Sequence, residues 1–267
     1  MTSTTTRSVA RTMLNKVPEV TIFFWVIKIL ATTVGETAAD NLATNLGLGL
    51  TGTTWVMGAV LVVVLFFQFR LRRYVPLVYW LAVVLLSIVG TLITDNLTDK
   101  YDVALATTTT VFAIALALVF LAWYLSERTL SIHTIFTTRR EGFYWLAILF
   151  TFAFGTAAGD YLAETLDIGY WKSALLFGGA IVLITFAWRF LHLNAILAFW
   201  LAYILTRPLG ASLGDYLSQP KVDGGLGLGT NTTTFTFLAA ILAVVVYLTV
   251  SKRDQAPTRT VALEVSS

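Results

Sequence analysis

Long apolar stretches alternate with short polar ones along the whole chain. A membrane-spanning helix needs about 20 mainly apolar residues. Eight segments reach that length, roughly 18–42, 53–69, 75–98, 104–125, 142–164, 171–191, 194–217 and 232–250. They predict an all-α integral membrane protein with eight transmembrane helices. Residues 18–250 form one membrane domain between two polar tails, 1–17 and 251–267.

A second periodicity lies inside the first. Four of the apolar runs carry a Trp, a Gly, an Asp and a Leu at one fixed spacing. They are Trp25, Gly35, Asp40 and Leu42; Trp80, Gly90, Asp95 and Leu97; Trp145, Gly155, Asp160 and Leu162; and Trp200, Gly210, Asp215 and Leu217. Self-similarity of this kind marks a repeat architecture. The repeats cover about 18–71, 74–127, 139–191 and 194–250, each a helical hairpin. They also pair. Asp40 and Asp95 precede Asn41 and Asn96, whereas Asp160 and Asp215 precede Tyr161 and Tyr216. Two rounds of duplication account for this, giving pseudo-fourfold or two-plus-two symmetry. The hairpins are parallel, so their axis lies along the membrane normal. The first helix of each hairpin is expected around a central cavity. The second helices, with almost no polar groups over Val60–Phe67 and Ala174–Phe186, are expected outside, against lipid.

Composition supports lipid as the solvent. The chain has 267 residues, 57% hydrophobic and 12% charged, with a mean hydropathy of +0.78. Soluble domains carry about 25% charged residues. The net charge of +3 comes from basic residues at the ends of apolar runs, so nucleic acid is not an expected partner. Of the 18 basic residues, Arg7, Arg11, Lys16, Arg70, Arg72, Arg73, Arg128, Arg139, Arg140, Arg189, Lys252, Arg253 and Arg259 fall on one side. Lys100, Lys172 and Lys221 fall on the other. The positive-inside rule puts the first group, and both termini, in the cytoplasm. The first helix is read as retained, since no short apolar core and cleavage site precede it. There is no cysteine, which excludes thiolate chemistry, and His133 and His192 do not suggest a metal site.

The remaining two bases, Lys28 and Arg207, lie within the first and seventh spans, together with five acids: Glu36, Asp40, Asp95, Asp160 and Asp215. Charge at mid-bilayer costs about 2.5–3.5 kcal/mol per residue on insertion scales. Matched charges in four copies therefore point to a cavity. Glu36 and Asp40 are four apart and share a helix face. Adjacent carboxylates repel unless a proton or cation sits between them. The position of Glu36 is taken by Thr91, Thr156 and Ala211 in the other repeats, and threonine hydroxyls are also oxygen ligands. The bland alternative sets the four Asp in solvent at the outer interface, with the Gly serving only close packing. Pro208, beside Arg207, is expected to kink the seventh helix. The Gly-rich stretches at 46–49 and 226–229 read as linkers.

The run Lys16–Asn41, KVPEVTIFFWVIKILATTVGETAADN, with the later D-N-L and G-D-Y-L motifs, resembles a bacterial family of multi-spanning proteins described only as membrane-anchored. The resemblance implies a bacterial inner membrane and supplies no substrate.

The expected function is transport, with export preferred, of a hard divalent cation. All-oxygen ligands suit Mg²⁺, Ca²⁺ or Mn²⁺, and manganese is the best single candidate. The expected ligands are Glu36, Asp40, Asp95, Asp160 and Asp215, assisted by Asn41 and Asn96. Lys28 and Arg207 are expected to gate the site or balance its charge. Protons are the expected counter-ion and no cofactor is expected. A proton- or sodium-coupled carrier of an organic solute is the alternative. An intramembrane enzyme is not expected, because no Ser-His, Cys-His or H-E-x-x-H set is present; the Gly-Asp pairs at 159–160 and 214–215 suggest an aspartyl protease only faintly. A scaffold role has little free chain to work with.

Overall fold

Local signals set where each helix starts. Val75 is extended and Pro76 opens a helix, where a missing N–H costs nothing. Thr137 accepts from Arg140 N at 3.3 Å, and Asn194 Oδ1 accepts from Ile196 N at 3.0 Å and Leu197 N at 3.2 Å. Gly169 and Gly229 each precede a helix with φ near +80°. The result, in a computed structural model that describes residues 15–45 and 47–255, is eight long helices. They are α1 (Ile22–Asn45), α2 (Gly49–Arg70), α3 (Pro76–Asp95), α4 (Leu105–Glu127), α5 (Thr138–Asp160), α6 (Tyr170–Phe190), α7 (Ala195–Ser218) and α8 (Thr230–Ser251). All eight are long and apolar enough to cross a membrane, and the described residues contain no strand. Leu46 and most of both expected tails, with Arg7, Arg11 and Arg259, lie outside the described residues.

Two boundaries differ from hydropathy for physical reasons. The first helix starts at Ile22 rather than near 18, because Pro18 and Glu19 belong to an extended segment whose Glu19 N–H bonds Asp254 O at 2.9 Å. The second starts at Gly49, ahead of 53, because the hydroxyl groups of its polar first turns find partners: Thr51 Oγ1 donates to Asn96 Oδ1 at 2.7 Å and Asn96 Nδ2 to Thr54 Oγ1 at 2.8 Å. The helix α7 runs unbroken through Pro208. The irregular turns sit elsewhere, as π-helical segments Asn96–Lys100 and Tyr161–Thr165, directly after Asp95 and Asp160.

The odd helices form a closed ring: α1 packs on α3, α3 on α5, α5 on α7 and α7 back on α1. The repeat glycines make that ring possible. A Cβ on Gly35 would collide with Ser87, on Gly90 with Phe152, on Gly155 with Arg207 and on Gly210 with Thr32. Each contacted residue lies three positions before the next repeat's own glycine, so one contact is repeated four times and returns to its start. Small residues let membrane helices approach in this way.

The even helices complete an outer layer, with an exchange. Each packs principally on the inner helix of the following repeat: α2 on α3, α4 on α5, α6 on α7, and α8 on α1. Packing within a hairpin is slight by comparison, so the four interlock. Burial follows: 56% to 78% of the apolar windows of odd helices are buried, against 11% to 28% for even ones.

At the end where the odd helices begin, the bundle is sealed. Tyr79 and Tyr144 share a 2.5 Å hydroxyl contact, and both are fully buried among Phe24, Trp80 and Trp145. Beneath them Lys16 Nζ donates to Glu141 Oε2 at 2.7 Å and to Phe69 O at 3.1 Å, and Gln68 Nε2 donates to Glu141 Oε1 at 3.2 Å. Tyr74 Oη donates to buried Asp254 at 2.6 Å. Burial pushes the Asp254 carboxyl above its ordinary value, and the Tyr74 bond pulls it partly back. Lys16 and Asp254 are thus part of the folded body, although hydropathy alone assigned them to the tails. This end also carries Arg70, Arg72, Arg73, Arg128, Arg139, Arg140 and Arg189, and is called the basic end below.

Two stability outcomes are expected. Gly35→Leu and Gly210→Leu overpack the ring, at about 1–3 kcal/mol or more each, and lower the thermal unfolding temperature in detergent. Gly58→Leu, with open space around it, leaves that temperature unchanged. Glu141→Ala removes the buried carboxylate that Lys16 and Gln68 bond and costs about 1–3 kcal/mol. Arg139→Ala removes a side chain 70% exposed and costs less than about 1 kcal/mol.

Candidate cation site

The glycine ring fixes the height of the residues that follow it. One position after the glycines come Glu36, Thr91, Thr156 and Ala211; five positions after come Asp40, Asp95, Asp160 and Asp215. Because the glycines sit in matched contacts, each set forms a layer across the bundle. The outer layer is acidic and lies at the end opposite the basic one.

Three of the predicted carboxylates converge. Glu36, Asp160 and Asp215 each offer an oxygen, and these oxygens lie within 4.8 Å of one another. Asp215 and Asp95 are buried, and Asp40 and Asp160 half-buried, so the layer is neither bathed in bulk solvent nor sealed off from it. Only Glu36 among the five has an ion-pair partner among the described residues. Of the four Asp, Asp160 and Asp215 meet Glu36 in this group, while Asp40 and Asp95 are not part of it.

That partner is Arg207, fully buried on α7 one turn below the layer of Glu36. Its Nη2 donates to Glu36 Oε2 at 2.7 Å, to Thr156 Oγ1 at 2.6 Å and to Thr91 Oγ1; its Nη1 donates to Thr32 O at 2.9 Å. The threonines are oriented for this. Thr91 Oγ1 donates to Ser87 O and Thr156 Oγ1 to Phe152 O, both at 3.1 Å, which leaves their lone pairs free for the guanidinium. One side chain therefore ties all four inner helices together.

Lys28 behaves differently. It is fully buried, which excludes snorkelling to the surface, and its Nζ has no hydrogen-bond acceptor. It sits 4.2 Å from the ring centres of both Phe152 and Tyr203, below Arg207 and above the tyrosine pair. Charge balance by direct pairing thus falls to Arg207 alone.

The two asparagines are corrected as ligand candidates. Asn96 is held by Leu92 O at 2.7 Å and by Thr51 and Thr54 of α2. Asn41 Nδ2 donates to Asn231 Oδ1 at 2.5 Å and Thr230 Oγ1 at 3.4 Å, at the start of α8. Being one residue on, about 100° around the helix, both turn from the axis toward an outer helix. They join layers rather than serve the acids.

Sequence reasoning missed the Lys16–Glu141–Gln68 cluster and the Tyr74–Asp254 pair. Glu141 was detectable as a lone acid beside Arg139 and Arg140 at the start of a span. An apolar crevice of about 590 Å³ lies nearer the basic end, between α1, α6 and α7, lined by Trp25, Ile29, Ile184, Trp188 and Phe199 among others. No carboxylate lines it, and it is separate from the acid layer.

The repeat geometry agrees with comparison to known sequences. Residues 23–74, 78–129, 143–193 and 198–254 each match one family, described as Repeat of Unknown Function (DUF347). These segments coincide, within a few residues, with the four hairpins. No curated protein and no solved structure matches the chain. With most of its length accounted for by four copies, the chain belongs to the Repeat of Unknown Function (DUF347) family.

Proposed function

We propose that the protein is a carrier for a hard divalent cation, manganese being the first to test, and that the acid layer binds the cation. The observation that carries this reading is the convergence of Glu36, Asp160 and Asp215 within 4.8 Å, with Asp40 and Asp95 at the same height. Carboxylates brought this close favour a shared cation or proton. Their oxygen-only chemistry suits Mn²⁺, Mg²⁺ or Ca²⁺ over softer ions. When the cation leaves, the same carboxylates take up protons, so proton counter-transport is part of the proposal.

The two ends of the bundle support a carrier rather than an open pore. Half-buried Asp40 and Asp160 give the acid layer access from one side, while the buried tyrosine pair and the Lys16–Glu141 ion pair close the other. Transport then requires the seal and the access to alternate. With the basic end in the cytoplasm of a bacterium, the acid layer faces outward. Glu36, already paired with Arg207, holds a cation less strongly there, which favours release on that side and makes export the proposed direction.

The test is Mn²⁺ flux in proteoliposomes of the purified protein, with orientation determined. Wild type is expected to carry Mn²⁺ and to move protons in the opposite sense. Asp160→Asn and Asp215→Asn are expected to lose about tenfold or more, the scale set by removing even an outer-sphere partner of a metal. Flux equal to that of empty liposomes, or equal in wild type and both variants, removes the proposal.

A further inference from the structure

We infer that Arg207 is a tethered cation that occupies an inner site for the transported ion, and that the ion binds tightly only once Arg207 has left Glu36. This rests on the carrier reading above and assigns the control of that site.

The asymmetry among repeats motivates it. At the position after the glycine, α1, α3 and α5 each present an oxygen, from Glu36, Thr91 and Thr156. Only α7 presents none, since Ala211 stands there. One turn earlier α7 instead carries Arg207, where the other repeats have Thr32, Ser87 and Phe152. The fourth repeat thus lacks the oxygen its siblings present and supplies a cation one turn below.

The surroundings are those of a dehydrated cation site. One carboxylate oxygen, two hydroxyl oxygens with outward lone pairs and the Thr32 carbonyl all receive Arg207 N–H groups. Glu36, Thr91, Thr156 and Arg207 are buried, with Glu36 the most accessible at 5%. A metal ion is recognised by the same oxygens. The guanidinium is gripped at its outer nitrogens only, because Nε has no partner. Withdrawing it breaks the bonds at one edge of the side chain and leaves the ring contact with Gly155 in place.

Glu36 is where the two cations compete. It pairs with Arg207 and also belongs to the group with Asp160 and Asp215. A divalent ion in that group pulls Glu36 toward the acid layer, and Arg207 pulls it the other way. Lys28 makes no hydrogen bond to these oxygens, its amine lying 4.2 Å from the ring centres of Phe152 and Tyr203. A purely structural Arg207 predicts loss of stability and nothing more. A competitor predicts that its removal tightens metal binding.

The experiment is Mn²⁺ titration, followed by its EPR signal, of the full-length protein in nanodiscs. Wild type, Arg207→Gln, Arg207→Lys and the double variant Arg207→Gln/Glu36→Gln are compared, with unfolding temperature as the fold check. Arg207→Gln is expected to bind Mn²⁺ about tenfold more tightly than wild type, a gain of about 1.4 kcal/mol. Arg207→Lys keeps a charge but not the planar fork, so it falls between the two. The double variant loses the gain. Affinity in a folded Arg207→Gln that equals or falls below wild type overturns the inference while leaving the carrier reading intact. Should that variant fail to fold, Arg207→Lys decides: tighter binding than wild type supports competition, and equal or weaker binding overturns it. No Mn²⁺ binding by wild type or any variant overturns both.

Discussion

The distance between helices at the four glycines governs what the rest of the molecule is able to do. With a Cβ at Gly35, Gly90, Gly155 or Gly210, the neighbouring inner helix is pushed away. The layers above would then open, and Glu36, Thr91 and Thr156 could no longer meet one guanidinium. The same four contacts are cyclic, so no one of them can relax without straining the others. Four hairpins that each place their second helix on the next repeat's inner helix reinforce this closure. A single hairpin has nothing to bury its inner helix against, as is general where stacked repeats share a core.

Charge is arranged along the axis in a strict order. From the basic end come the Lys16–Glu141 pair, the tyrosine seal, Lys28 against two rings, Arg207 with Glu36, and the carboxylate layer. Acids lie on the far side of Arg207, and on its near side Lys28 stands without an anion. In an apolar bundle each isolated charge is costly unless hydrogen-bonded or paired. Arg207 meets that requirement and Lys28 meets it only through the ring faces, a weaker form of compensation. The least compensated groups therefore lie on the axis itself, where the proposed cation and protons would pass.

Much of this was legible in the sequence. Hydropathy found eight helices, and the Trp-Gly-Asp-Leu spacing found the hairpins and put their first helices at the centre. Both signals are local, since they depend on residues along one chain segment. What escaped depends on neighbours across helices. Asn41 and Asn96 adjoin the key acids in sequence, but one step around a helix carries them to a different layer. Of their partners, Thr51, Thr230 and Asn231 are polar residues in helix starts that hydropathy trims away, and Thr54 lies just inside the second span. The exchange of outer helices was invisible because a hairpin's own sequence says nothing of which neighbour it covers. Pro208 does not interrupt α7, and it packs beside Gly155 and Gly159.

The departures from symmetry are more informative about mechanism than the symmetry is. Four identical repeats would place four oxygens at the layer of Glu36 and four equal side chains below it. Such a site binds a cation with nothing to loosen it. Here α1 carries Glu36, α3 and α5 carry Thr91 and Thr156, and α7 carries Ala211 with Arg207 one turn below, so the fourfold equivalence is broken. The buried ion pair falls on two adjacent helices of the ring, Glu36 on α1 and Arg207 on α7. A movement of α7 against α1 changes the charge felt by Glu36 at once, because the Arg207 bonds cross that seam and its continuation to α3 and α5. Of the four ring seams, this is the one where a shift in packing would directly change the charge beside Glu36, a ligand of the proposed cation.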